Sequence, residues 1–212
     1  MGKLLLQLLD GTFVSFKVFV LTLVFSLPFG FVVCKGKMSK FKPLSFIVDL
    51  YIQIMRGTPL ILQLIFFYFA PYYIFGFSFQ RFTAAIVAFA INYSAYFAEI
   101  YRSGIQSIDK GQYEASKVLG FSKPYTFFHI ILPQVMKNIM PSLANEVITL
   151  VKDTALASTI GVIELFRVAQ TSSSRVFSTM PIFLAGAFYF VMNYIVSKIF
   201  ALIEKKLSYF NA

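Results

Sequence analysis

Five apolar runs, residues 11–34, 43–70, 82–105, 141–170 and 181–203, leave this chain little choice of solvent. A helix rises about 1.5 Å per residue, so roughly 20 apolar residues cross the roughly 30 Å hydrocarbon core of a bilayer. Each run reaches that length. In lipid every backbone N–H and C=O must be satisfied inside the protein, which selects helices. The composition agrees: of 212 residues, 58% are hydrophobic and 13% charged, too apolar for a soluble domain of this size. The expected architecture is an all-α membrane protein of about five spans, one transmembrane domain over residues 1–212. Residues 1–10 read as a short amphipathic lead-in. The run at 11–34 is read as an uncleaved span: it exceeds a signal-peptide core, Lys17 interrupts it, and no A-x-A site follows.

The net charge of +10 would suggest nucleic acid in a soluble protein, but its placement argues otherwise. Lys35, Lys37, Lys40 and Lys42 form one cluster, Arg102, Lys110, Lys117, Lys123 and Lys137 a second, and Lys205 and Lys206 a third. Positive loops stay on the cytoplasmic side. All three clusters share that side if the N-terminus is out and the C-terminus in, and no basic groove with stacked aromatics argues for nucleic acid. With one cysteine, Cys34, and one histidine, His129, the chain has neither an internal disulfide nor a metal cluster nor a Ser-His-Asp set. No G-x-x-x-x-G-K-[ST] loop occurs, so ATP is not held here by that means. Catalysis by this chain is not expected.

Residues 109–133, GQYEASKVLGFSKPYTFFHIILP with its preceding Asp109 and Lys110, are a polar island in this apolar setting. Asp109 is placed to cap a helix, with Gln112 reaching back in a capping box and Ile108 and Tyr113 at staple spacing. That helix is expected to end at Leu119, with Gly120 in the left-handed conformation. Ser122 and Pro124 predict a second short helix that stops before Pro133. Gly111 and Ala115, four apart, would let a partner's backbone come close. The other reading is an ordinary solvated loop helix.

Glu114, Ala115 and Ser116, then Gly120, then Ile130, Leu132 and Pro133, at those intervals, resemble the EAA loop of ABC importer permeases. Only Ser116, where the family has alanine, departs from it. The stretches RGTPLILQLIFF and NYSAYFAEIYRSGIQSI resemble the polar amino-acid subfamily, and the resemblance covers about residues 11–205. It implies the type I importer fold in a bacterial or archaeal cytoplasmic membrane, with two permease chains, two ATPase subunits and an extracytoplasmic substrate-binding protein. ATP and magnesium would sit on the ATPase, with no cofactor in this chain. It implies further that Glu114, Ala115, Ser116 and Gly120 belong to a coupling helix held by the ATPase, with Glu114 contacting it and Gly120 aiming it.

Two runs are too long for one simple span. In 43–70 the sequence Arg56, Gly57, Thr58, Pro59 predicts a break, with Thr58 capping and Pro59 opening a new half helix. Half-helix N-termini at membrane depth attract carboxylates. The alternative is a kink that only shapes packing. In 141–170 the break is expected at Lys152, Asp153, Thr154, with Asp153 or Thr154 as cap, or with Lys152 and Asp153 paired. Asn92 and Glu99, seven apart, share a face of the third span, where Arg102 offers Glu99 a local ion pair. Glu164 is expected toward the outer side, and Thr171, Ser172, Ser173 and Ser174 in an outer turn. Arg56, Gly57, Thr58, Asn92, Glu99, Asp153, Thr154 and Glu164 are thus the candidate substrate contacts. Carboxylates in the spans lean the cargo toward basic amino acids, with glutamine or glutamate the near alternative. An ion-coupled secondary transporter using Glu99 and Asp153 is the rival of another class; it leaves the capped polar island without a purpose.

Overall fold

The computed structural model describes residues 2–207. Met1, the first residue of the expected lead-in, and residues 208–212, the end of the expected domain, lie outside the described residues. No strand occurs among the described residues.

Helix α1 (Gly2–Lys37) is continuous, so residues 2–10 do not form a separate lead-in but extend the first span. Helix α2 (Lys42–Gly57) and helix α3 (Leu60–Phe75) meet at 113°, at the break expected from Gly57 and Pro59. Helix α4 (Arg81–Gln106) packs along α1. Helix α5 (Lys110–Val118) and the single turn α6 (Lys123–Tyr125) follow. A π-helical stretch, Thr126–Ile131, then leads into helix α7 (Leu132–Asp153). A 3-10 segment, Thr154–Ile160, connects to helix α8 (Leu165–Val176), and helix α9 (Met180–Leu207) closes the bundle.

Among the described residues three helices, α1, α4 and α9, are long and apolar enough to cross a membrane, and the bent pair α2–α3 makes a fourth candidate. The run at 141–170 is not a fifth of the same kind, because it is divided among α7, the 3-10 segment and α8. The central core joins Val18 and Phe19 of α1, Leu64 of α3, Ala84 to Phe89 and Tyr93 of α4, and Val147, Leu150 and Val151 of α7. A second cluster packs Val33 and Cys34 of α1 and Ile52 of α2 against Ala95 and Ala98 of α4. Early residues of α1 therefore meet early residues of α4 and late meet late, so the two helices run parallel.

Several expected boundaries move for identifiable reasons. Thr58 does not cap α3. Its N–H and Oγ both donate to the Ile54 carbonyl, 3.1 and 2.8 Å away, and so close α2. Pro59 is then the residue flanking α3, which starts without a side-chain cap. The helix that begins at Ser122 does not stop before Pro133. A proline inside an α-helix clashes with the carbonyl four residues back. Here the preceding turns are widened, with the Leu132 N–H reaching back to Phe127, and Pro133 falls in the first turn of α7. Neither Asp153 nor Thr154 caps a half helix; that role falls to Glu164, whose carboxylate accepts from the N–H of Phe166 and Arg167 at 2.8 and 2.7 Å. The tetrad at 171–174 lies inside α8, and the turn comes later, where Phe177 adopts φ 49°. Helix α3 also runs through Pro71 to Phe75, five residues beyond the apolar run that ends at 70.

Candidate substrate cavity and coupling helix

The break between α2 and α3 frees carbonyls at membrane depth, and each must find a donor. Gln63 supplies one, its amide donating to Met55 O at 3.0 Å and to Thr58 Oγ at 2.8 Å. Asn92 of α4 supplies the other, donating to Met55 O and to Gln63 Oε1, both at 2.9 Å. Asn92 therefore braces the break from the neighbouring helix. Gln63 was not singled out from the sequence, where it lies in a run that is otherwise apolar.

Beside this brace is a cavity of about 200 Å³ lined by Thr58 and Leu60, by Asn92, Tyr93 and Tyr96 of α4, and by Glu146, Thr149 and Asp153 of α7. Asp153 accepts a hydrogen bond from the Tyr93 hydroxyl at 2.7 Å. Glu146, half-buried, has no hydrogen-bond partner among the described residues. The first backbone bonds of α3 run from Leu62 and Gln63 to the Pro59 carbonyl, and no side chain caps the N–H groups before them.

A second cavity of about 540 Å³ adjoins the first, sharing Tyr96 and Glu146, and continues between α4 and α7 past Glu99, Ser103 and Ser142 to Ser107 and Asn138. Glu99 is held by Arg102 in a two-pronged contact at 3.0 and 2.7 Å, with Arg56 a further 3.7 Å away. The expected local ion pair is therefore formed and is joined by Arg56, which also lies over the Tyr96 ring.

Of the expected contacts, Thr58, Asn92 and Asp153 line the first cavity, and Arg56 and Glu99 the second. Gly57 is exposed at the break and lines neither. Thr154 is fully buried and donates to Val151 O at 2.7 Å. Glu164 is also fully buried; besides capping α8 it accepts from Ser15 of α1 at 3.2 Å and Tyr189 of α9 at 2.8 Å. It ties three helices together away from both cavities. The sequence reading missed Glu146, although a pattern marks it. Asn92, Tyr96, Glu99 and Ser103 on α4 recur at the spacing of Ser142, Glu146, Thr149 and Asp153 on α7. Intervals of four, three and four place each set along one helix face.

At the far end of the second cavity α4 hands over to α5. Asp109 caps α5 by accepting from the Gly111 N–H at 2.6 Å. Gln112 does not return the bond; its side chain accepts from Gln134 instead. The helix ends in a Schellman motif, with Phe121 N–H on Ser116 O and Gly120 N–H on Lys117 O, and with Gly120 at φ 75°. Glu114 and Ala115 face outward, as do the apolar Val118 and Leu119, 88% and 69% exposed. Ser116 turns inward, donating to Gln112 O at 2.6 Å.

A broken helix at a polar cavity and a capped amphipathic helix exposed at one end of the bundle are the features of a membrane transport subunit. The chain belongs to the binding-protein-dependent transport system inner membrane component family, whose model matches residues 26–209. It is 39% identical to the putative glutamine transport system permease protein GlnP of Rickettsia felis, over 96% of this chain and 94% of the relative. It is 38% identical to the arginine transport system permease protein ArtQ of Bacillus subtilis, over 94% and 92%. Among solved structures it superimposes on an amino acid ABC transporter crystallised with histidines at a TM-score of 0.89 and 37% identity, covering 97% of this chain and 96% of that one. An inward-facing MetNI methionine transporter shares the fold at a TM-score of 0.73 and 18% identity. The chain is thus the membrane permease subunit of an amino-acid ABC importer, with the type I permease fold. ATP hydrolysis in such importers is carried by a separate ATPase. The ion-coupled reading gives way to this family membership.

Proposed function

We propose that the chain carries a cationic amino acid through the space between α4 and α7. It would do so in an importer completed by a second, identical permease chain, two ATPase copies holding ATP and magnesium, and an extracytoplasmic binding protein. Residues 1–212 act as one permease domain of five spans, N-terminus out and C-terminus in, the fifth span supplied by α7 and its 3-10 extension. The observation that carries the cargo reading is the carboxylate pair on α7: Glu146 and Asp153 both face the smaller cavity, while the arginines nearby are already engaged by Glu99. A cationic side chain would bridge Glu146 and Asp153, and the α-carboxylate would meet the uncapped start of α3 beside Thr58. Arg56 and Glu99, on the path toward α5, would shift partners as the cavity changes sides; Asn92 holds the break in shape, and Gly57 lets the chain turn. Thr154 and Glu164 contribute by fixing the 3-10 segment and α8. In the coupling helix, exposed Glu114 and Ala115 would contact the ATPase, with Ser116 and Gly120 fixing the helix end.

Scintillation binding of radiolabelled arginine and glutamine to the purified permease–ATPase complex tests this. Arginine binding lost in Asp153→Asn and Glu146→Gln supports the reading. Glutamine binding untouched by either change overturns the site and the cargo together. Glutamine is the second reading. Tyr93 already occupies one oxygen of Asp153, and with their donors engaged within the protein Asn92 and Thr149 offer neutral acceptor oxygens that suit the N–H groups of an amide; several relatives are named for glutamine.

A further inference from the structure

We propose that the cavity at the end of the bundle opposite the coupling helix seats the phosphate of an anionic phospholipid. This cavity, of about 480 Å³, opens where the first turns of α1 and α4 meet α8. Because α1 and α4 run parallel and α5 follows the end of α4, it lies at the far membrane surface from α5. Arg81, Arg167 and Arg175 line it, with Asp10 the one acidic residue. None of the three arginines joins an ion pair among the described residues; Arg167 reaches only the neutral Gln170, at 3.4 Å. Gly161, in a left-handed turn at φ 83°, makes room for Arg81, since a Cβ there would sit 3.1 Å from its Nη1. Three guanidinium groups against one carboxylate leave an excess of positive charge. That excess sits where basic residues are normally scarce, because permeases concentrate them at the other face. Such an excess attracts an anion, and guanidinium forks match the oxygens of phosphate.

Lipid is favoured over an acidic protein surface by what surrounds the cavity. Leu6 and Phe13 share the α1 face of Asp10 and are 63% and 58% exposed. Ile163, itself lining the cavity, is 68% exposed. Apolar side chains exposed beside the cavity would suit acyl chains, so a headgroup seated there would have an apolar surface for its tails. The proposal needs only the membrane position of the chain, so failure of the cargo reading leaves it standing.

Native mass spectrometry of the detergent-purified permease–ATPase complex, titrated with phosphatidylglycerol or phosphatidylcholine, tests it. The wild type is expected to retain phosphatidylglycerol preferentially. Retention should weaken roughly fivefold for each arginine removed, in Arg175→Gln and then in the Arg167→Gln, Arg175→Gln pair. Both sites are exposed on α8, so the fold should persist, and ATPase retention in the same spectra checks it. Lysine at both positions should restore part of the binding. Equal retention of the two lipids, or no loss in the pair, overturns the proposal. Displacement of phosphatidylglycerol by equimolar inorganic phosphate would make it a free-phosphate site, and overturn it as well. Retained lipid with lost capture of the extracytoplasmic binding protein would reassign the arginines to that partner.

Discussion

Glu164 is buried to zero exposure and yet spends every oxygen on the protein, receiving two backbone N–H groups, Ser15 and Tyr189. Its removal would strand those donors without water, and a stranded buried donor costs about 1–3 kcal/mol. Glu164→Leu is therefore expected to destabilise the detergent-solubilised complex by a net of roughly 2–4 kcal/mol, read as a sharp fall in its thermal midpoint. Glu164→Gln, which keeps one acceptor oxygen, should lose about half as much. An unchanged midpoint in the leucine variant would remove the helix-tying role. Gly120 acts at the same scale through its backbone. A side chain at φ 75° costs about 1–2 kcal/mol, and the Schellman bonds that depend on it aim α5. Gly120→Asp is expected to leave protein in the membrane but uncouple hydrolysis from uptake. Vesicles reconstituted with the variant and its ATPase would refute this if they transported as the wild type does.

At the scale of elements, the walls of the larger cavity are α4 and α7, and side chains of α7 pack directly onto Gly104 of α4. A Cβ added there would come within 2.1 Å of the Ile139 side chain. Gly104→Leu should wedge the two helices apart and reduce uptake at least tenfold, an effect of about 1.4 kcal/mol or more on the transport cycle. Ile139→Ala in the same chain should restore much of it, and a double variant no better than the single would show that the contact is not the cause. The sequence made these elements legible where punctuation was strong. Gly57 with Pro59 marked the α2–α3 break, and Asp109, Gly120 and Ser122 marked both ends of α5 and the start of α6. It misled where two local signals competed. Thr58 has the composition of an N-cap, yet its hydroxyl bonds back into α2. Pro133 carries a stop signal, yet the wider π turn absorbs it. Glu146 was passed over because its polarity is diluted among valines and leucines; it shows only when α4 and α7 are aligned at the same intervals.

For the whole molecule, the number of crossings decides which face each cavity opens to. Among the described residues three helices are long and apolar enough to cross, and α2–α3 makes a fourth when counted as one bent span. An even number would return the chain to its starting side and place the lysines after α1 and those at the end of α9 on opposite faces, against the charge bias. The proposed fifth crossing, by α7 with its 3-10 extension, would restore the odd number, and a polar stripe lining a cavity accounts for the low hydropathy of α7. The arrangement has a direct readout because Cys34 is the one native cysteine and is buried. In a Cys34→Ala background, Ser174→Cys on α8 should react with a membrane-impermeant maleimide added outside intact cells. Lys40→Cys, between α1 and α2, should react only after the membrane is opened. Both positions are exposed, so lack of access within the fold would not mask the result. Labelling of both from outside would break the five-span arrangement. Labelling of Lys40→Cys alone would invert it and move the coupling helix to the face that holds no ATP.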